Sequence, residues 1–148
     1  MPTKSKINMS ILNYTTTIDA GKTVGELQGI LAKAGCRKIL IDFNEIGEPD
    51  AVTFMVAVNE QPLYFTLPCN VAGVLKAMQK DRNIAGKYRT EAQARRVAWR
   101  IIKDWCQAQL AIIEAGQAQL AEVFLPYAQH QGTTLFKSLE AGNLKLLN

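Results

Sequence analysis

Thr90 to Tyr127, TEAQARRVAWRIIKDWCQAQLAIIEAGQAQLAEVFLPY, is the longest periodic segment of the chain, and its reading decides how the rest is placed. Thr90 offers a hydroxyl to a free backbone N–H, and Gln93 stands where a side chain can reach back to complete a capping box, so a helix is expected from about Glu91. Ala94, Ala98, Ile101, Trp105, Ala108 and Ile112 alternate spacings of four and three and share one stripe. Trp99, Ile102, Cys106, Leu110 and Ile113 form a second stripe beside it. An apolar arc this wide implies contacts on two sides. Opposite it, Arg96, Arg100, Lys103 and Gln107 follow at i, i+4, i+7 and i+11 and are expected to share one exposed basic face. Gly116 ends the helix after about Ala115. Leu120, Val123, Phe124 and Leu125 then read as a second short helix that Pro126 terminates or kinks.

Moving outward, Asp81 to Arg89 is a basic loop feeding the long helix, and Asn70 after Pro68 can cap a helix in which Val71, Val74, Leu75 and Met78 face inward. Before it lie three strand-like runs. These are KILIDFN (Lys38 to Asn44), AVTFMVAV (Ala51 to Val58) and LYFTL (Leu63 to Leu67), separated by turn chemistry at Gly47 to Asp50 and Asn59 to Pro62. An antiparallel meander is the expected arrangement. Thr23 and Glu26 have capping-box spacing, and Val24, Leu27, Ile30, Leu31 and Ala34 give a helical stripe that stops at Gly35. SILNYTTTID, Ser10 to Asp19, is rich in β-branched and aromatic residues and reads as a strand, with a turn at Asp19 to Thr23. On the far side, Thr133 to Leu147 is a weaker terminal segment. The order strand, helix, three strands, then helices gives an α+β class: a small, mainly antiparallel sheet packed with C-terminal helices, one of them long, near 91–115. A single domain over 1–148 is expected, with 1–9 a loose tail, 10–80 the sheet and two helices, and 90–128 the long helix and the short one.

A chain of 148 residues with 48% hydrophobic residues can bury a real core. Cys36, Cys69 and Cys106 are odd in number and far apart, with no C-x-x-C pair and only His130 to help them, which argues against a disulfide framework or a zinc site. A reducing cytoplasm fits this usage. Met1 to Ser10 is polar and basic with no apolar run after it, and no stretch approaches the roughly 18 residues of a membrane span, so neither an export signal nor a membrane partner is expected.

The net charge of +4 conceals an asymmetry. Between Lys38 and Lys76 there is no Lys or Arg, while Asp42, Glu45, Glu48, Asp50 and Glu60 all fall there. From Lys76 to Lys103 the cations Lys76, Lys80, Arg82, Lys87, Arg89, Arg95, Arg96, Arg100 and Lys103 face only Asp81 and Glu91. The meander is acidic and the helical half basic. Pro49-Asp50 with Glu60 has the outline of a nuclease metal motif, but Pro62 stands where that motif needs a lysine. Gly21-Lys22-Thr23 has the end of a phosphate loop without its earlier glycine. His130 sits in a polar run that reads as a surface loop, and neither Ser10, Ser138 nor any cysteine carries a nucleophile signature. No cofactor, metal or catalytic residue is therefore expected. A row of Arg96, Arg100 and Lys103, with Arg82, Lys87 and Arg89 before it, has the composition to track a phosphate backbone, although such a row more often forms only a solvated face. Arg95 points nearer the apolar arc, towards pairing with an acidic residue of the sheet. Trp99 and Trp105 read as core or interface before they read as base-stacking platforms.

The combination KTVGELQGILAKAG, the acidic hairpin, YFTLP and YRTEAQARRVAWRIIKDWCQAQLAIIEAGQAQLAEVFLPY resembles a family of small proteins encoded by tailed bacteriophages, prophages and related mobile elements. The resemblance covers roughly Thr23 to Tyr127, with AWRIIKDW (Ala98 to Trp105) and EVFLPY (Glu122 to Tyr127) its most specific blocks. It implies a bacterial cytoplasm and carries no activity or site residues. The favoured expectation is a non-enzymatic accessory protein of a phage or mobile element that binds an anionic partner, nucleic acid foremost, through Arg82, Lys87, Arg89, Arg96, Arg100 and Lys103. The alternative is a protein-interaction module, an inhibitor or adaptor of a host or defence protein, that uses the acidic meander, with homo-oligomerisation through the apolar helix face open to both. The feature that separates them is which charged face is left uncovered.

Overall fold

A computed structural model describes residues 9–143, so most of the expected N-terminal tail and the end of the terminal segment lie outside the described residues. The fold is α+β. Its axis is α3, Glu91–Glu114, a helix of 24 residues that starts where the sequence places it. The Thr90 hydroxyl accepts the backbone N–H of Gln93 at 3.2 Å. Gly116 at φ +75 closes the other end, donating to Ile113 O while Gln117 donates to Ile112 O.

α1 (Ala20–Lys33) packs along one flank of α3 and α2 (Val71–Lys80) along the other. Between these helices in sequence runs the meander β1 (Lys38–Phe43), β2 (Pro49–Val58) and β3 (Gln61–Thr66), antiparallel throughout and in the order β1-β2-β3. The register sets Ile39, Phe54 and Phe65 side by side, with Ile41 beside Val52 and Val56 beside Leu63, so one face of the sheet is continuously apolar. That face meets Val24, Leu27 and Leu31 of α1 and Trp99, Ile102 and Cys106 of α3. Phe54 and Phe65 stack at 5.3 Å, and Phe124 lies edge-on to Phe54 at 5.4 Å. A second, smaller cluster of Met78, Ile84, Ala94 and Val97 holds α2 to α3.

The other sheet face carries Lys38, Leu40 and Asp42 of β1 across from Met55, Thr53 and Ala51, and it is open at Leu40 and Tyr64. Beyond β3, Ala128 bridges to Phe65, while β1 is paired on one side only among the described residues. α4 (Leu120–Phe124) leads into a turn of 3-10 helix containing Pro126, then a small hairpin β4 (Gln129–His130) and β5 (Thr133–Thr134) and α5 (Leu135–Glu140).

Several expectations are corrected. Ser10 to Asp19 holds no strand. Asn13 adopts φ +65 in a turn that Thr16 N–H closes on Asn13 O, and Ile11 and Tyr14 pack into the second cluster instead. Its carbonyls at Tyr14 and Thr16 accept from the Gln93 amide at 2.9 and 2.8 Å, so Gln93 secures this segment rather than completing a capping box. α1 starts at Ala20, earlier than Thr23. Thr23 is therefore fully buried inside the helix and is not its cap. Asn70 does cap α2, accepting Gly73 N–H at 2.9 Å. The terminal segment is better ordered into elements than its composition suggests, because the Gln131-Gly132 turn, both residues at positive φ, closes β4 onto β5 and Thr134 caps α5.

Candidate functional site

The expected basic face is a seam between helices. Arg96, Arg100 and Lys103 keep only 35%, 16% and 14% of their side chains exposed, because α1 lies against this side of α3. Arg96 pairs with Asp19 at 3.5 Å and donates to Gln93 Oε1 at 3.1 Å. Arg100 forms a short charged hydrogen bond to Glu26 and approaches the Thr23 hydroxyl at 3.4 Å. Lys103 pairs with Asp104 at 3.7 Å. The Arg100 hydrogen bond holds the Glu26 carboxyl below its ordinary 4.5, with the positive charges of Arg100, Lys103 and Lys22 acting the same way. Gln107, at the end of the row, is exposed.

Arg95 is buried and reaches the sheet, as its position on the arc suggests. It donates to Pro49 O at 3.2 Å and pairs with Asp50 at 3.4 Å and Glu91 at 3.6 Å. Trp99 donates its indole N–H to the same Pro49 carbonyl at 3.1 Å. Arg89 is half-buried, with Nη2 donating to Asp81 O at 2.8 Å. Of the six cations singled out in the sequence, Arg82 and Lys87 alone are exposed, and Lys87 sits 5.0 Å from the Tyr88 ring centroid.

The carboxylates of the meander are the opposite case. Asp42, Glu45 and Glu60 are exposed and Glu48 half-exposed, and none forms an ion pair among the described residues; Asp50 alone of the five is paired. At the tip of the β1–β2 hairpin the Asn44 side chain accepts the N–H groups of Ile46 (3.1 Å) and Glu48 (2.9 Å), Asn44 N–H donates to Glu48 O at 2.9 Å, and Gly47 takes φ +82. This fixed turn holds Ile46 outward, 82% exposed, between Glu45 and Glu48, with Phe43 61% exposed at its base. Behind the tip a cleft of about 290 Å³ opens between the starts of α1 and α3, lined by Asp19, Ile46, Glu48, Glu91, Arg95 and Arg96.

Comparison with protein-family models, with curated proteins and with solved structures found no match. The site therefore rests on its geometry.

Other candidate chemistry is occupied structurally. His130 Nδ1 lies 3.3 Å from Ser138 Oγ, but Ser138 is 1% exposed and its hydroxyl also reaches His130 O at 3.4 Å, so the pair fastens β4 to α5. Cys36, Cys69 and Cys106 are free thiols, and burial pushes them up to about 11, 12 and 12. Such thiols stay protonated and weakly nucleophilic at neutral pH. No group of three or more metal-ligating side chains occurs among the described residues, and no helix among them is long and apolar enough to cross a membrane.

Sequence reasoning missed Ile46 and Phe43, because it took the hairpin only as turn chemistry. The readable signal was Asn44 three residues before Gly47, a pattern that fixes a turn and leaves the residues between them on its outside. It also missed Asp19, at the cap of α1, and Glu26, seven residues further on inside the helix, which face Arg96 and Arg100.

Proposed function

We propose that this protein is an interaction module that binds a partner protein with the acidic tip of its β1–β2 hairpin. The observation carrying this reading is the reversal of exposure between the two charged regions: the Arg96, Arg100 and Lys103 row is paired and packed against α1, whereas Glu45 and Ile46 are exposed and neither Glu45 nor Glu48 forms an ion pair among the described residues. An exposed β-branched apolar side chain flanked by carboxylates fits a partner surface with an apolar pocket ringed by Lys or Arg. The turn is held by its own hydrogen bonds, so little ordering cost falls on the encounter. Following the resemblance of the AWRIIKDW and EVFLPY blocks, the setting we propose is a phage or mobile element in the bacterial cytoplasm, and the partner a host protein. No catalytic step is assigned to it.

Nucleic-acid binding is kept as a second reading for one observation: Arg82 and Lys87 are exposed, as are Lys76 and Lys80 on α2, and Lys80 and Arg82 line one surface depression. Affinity capture from bacterial lysate separates the two. Glu45→Lys combined with Ile46→Asp should abolish capture of a protein that survives nuclease treatment, while Arg82→Gln with Lys87→Gln should leave it intact. If capture requires nucleic acid, or persists in the hairpin variant, the hairpin reading is wrong.

A further inference from the structure

The edge of β1 has a chemical symmetry that its neighbours do not need. Its residues Lys38-Ile39-Leu40-Ile41-Asp42 read cation, apolar, apolar, apolar, anion, so the segment is complementary to itself when run in the opposite direction. We infer that β1 pairs antiparallel with β1 of a second copy, about a two-fold axis through Leu40, to form a continuous six-stranded sheet.

Three observations support this. β1 has no strand partner on its outer side among the described residues, leaving a row of backbone N–H and C=O groups available. Edge strands are commonly guarded by a charge at mid-strand or by a bulge in the edge itself. Here the middle is Ile-Leu-Ile with Leu40 60% exposed, and the bulge near Asp42/Phe43 inserts its extra residue, Asp50, into β2, so β1 stays regular to its end. Finally, the face alternation selects one register. Centring the pair on Leu40 places Lys38 opposite Asp42 twice, Ile39 opposite Ile41 twice on the face that already carries the core, and Leu40 opposite its own copy on the open face. A slip of two residues either way sets Leu40 against Lys38 or Asp42, and a slip of one turns the apolar face outward. Residues Glu45 and Ile46 lie beyond the paired segment and stay free, so this pairing stands or falls separately from the hairpin reading.

Sedimentation equilibrium over a range of concentrations tests the inference, with circular dichroism confirming that each variant keeps the wild-type fold. Wild type is expected to move reversibly from the 16.4 kDa chain to a species of twice that mass. Asp42→Lys alone, and Lys38→Glu alone, put like charges in both symmetric pairs and should each raise the dimer Kd by at least about tenfold. Mixing the two single variants should restore association as a heterodimer, because each then presents the charges the other lacks. A wild type that stays monomeric up to about 1 mM overturns the proposal. A dimer unmoved by either reversal, or single variants whose mixture associates no better than each alone, overturns it equally, since the association then uses another surface or register.

Discussion

Trp99 and Trp105 stand six positions apart on one helix and carry different loads. Trp99 is fully buried, with its indole N–H on Pro49 O, whereas Trp105 is half-buried and lies edge-on to Phe124 at 5.4 Å and Tyr127 at 5.5 Å. Truncating Trp99 to Ala removes a large core side chain together with a buried hydrogen bond and should cost about 3 to 5 kcal/mol. Trp105→Ala should cost roughly half of that, because solvent already reaches part of its surface. Urea denaturation of both variants measures the difference, and equal costs would contradict it. The apolar arc of α3 was legible from spacing alone, and it includes both residues. Their ranking was not, because it depends on where the sheet ends and on α4 folding back, which periodicity along α3 does not encode.

At the scale of elements, the α1–α3 seam has a pH signature. Arg100 lowers the folded-state pKa of Glu26 from its ordinary 4.5. A carboxylate depressed on folding contributes stability that is present above its unfolded value and is lost as the pH falls through its folded value. Wild type should therefore lose stability on acidification below about 4.5, and Glu26→Gln should flatten that part of the profile while lowering stability at neutral pH. Thermal midpoints recorded from pH 7 to pH 3 decide it, and parallel profiles would refute the coupling. The sequence showed the cations at i, i+4 and i+7 but not the helix laid over them. Thr23 and Glu26 matched a capping box because three-residue spacing serves equally for a cap and for one face of a helix already begun. Ser10 to Asp19 misled for a related reason: β-branched residues favour extended backbone, and this segment instead bends at Asn13 to dock on α3.

For the whole molecule, what matters is how much positive charge is free to meet a polyanion. Two of the six cations picked from the sequence, Arg82 and Lys87, are exposed, as are Lys76 and Lys80 of α2. Each phosphate contact contributes a salt slope of about 0.9 on duplex DNA, so replacing Arg82 and Lys87 by Gln should lower any slope measured by fluorescence anisotropy by no more than about two. Arg100→Gln and Lys103→Gln, covered in the seam, should leave the slope unchanged. The class of the fold, its meander and its long helix were legible because each rests on local periodicity and turn chemistry. The covering of the basic row was not, since Asp19 and Glu26 reach Arg96 and Arg100 only when α1 packs on α3. One small feature reaches across these scales. Where the acidic hairpin joins β2, the carbonyl of Pro49 is gripped by Trp99 and Arg95 together. A fluorophore sealed from solvent is thus tied to the base of that hairpin, and a ligand seated on Ile46 is expected to shift the Trp99 emission, a change that Trp99→Phe should remove.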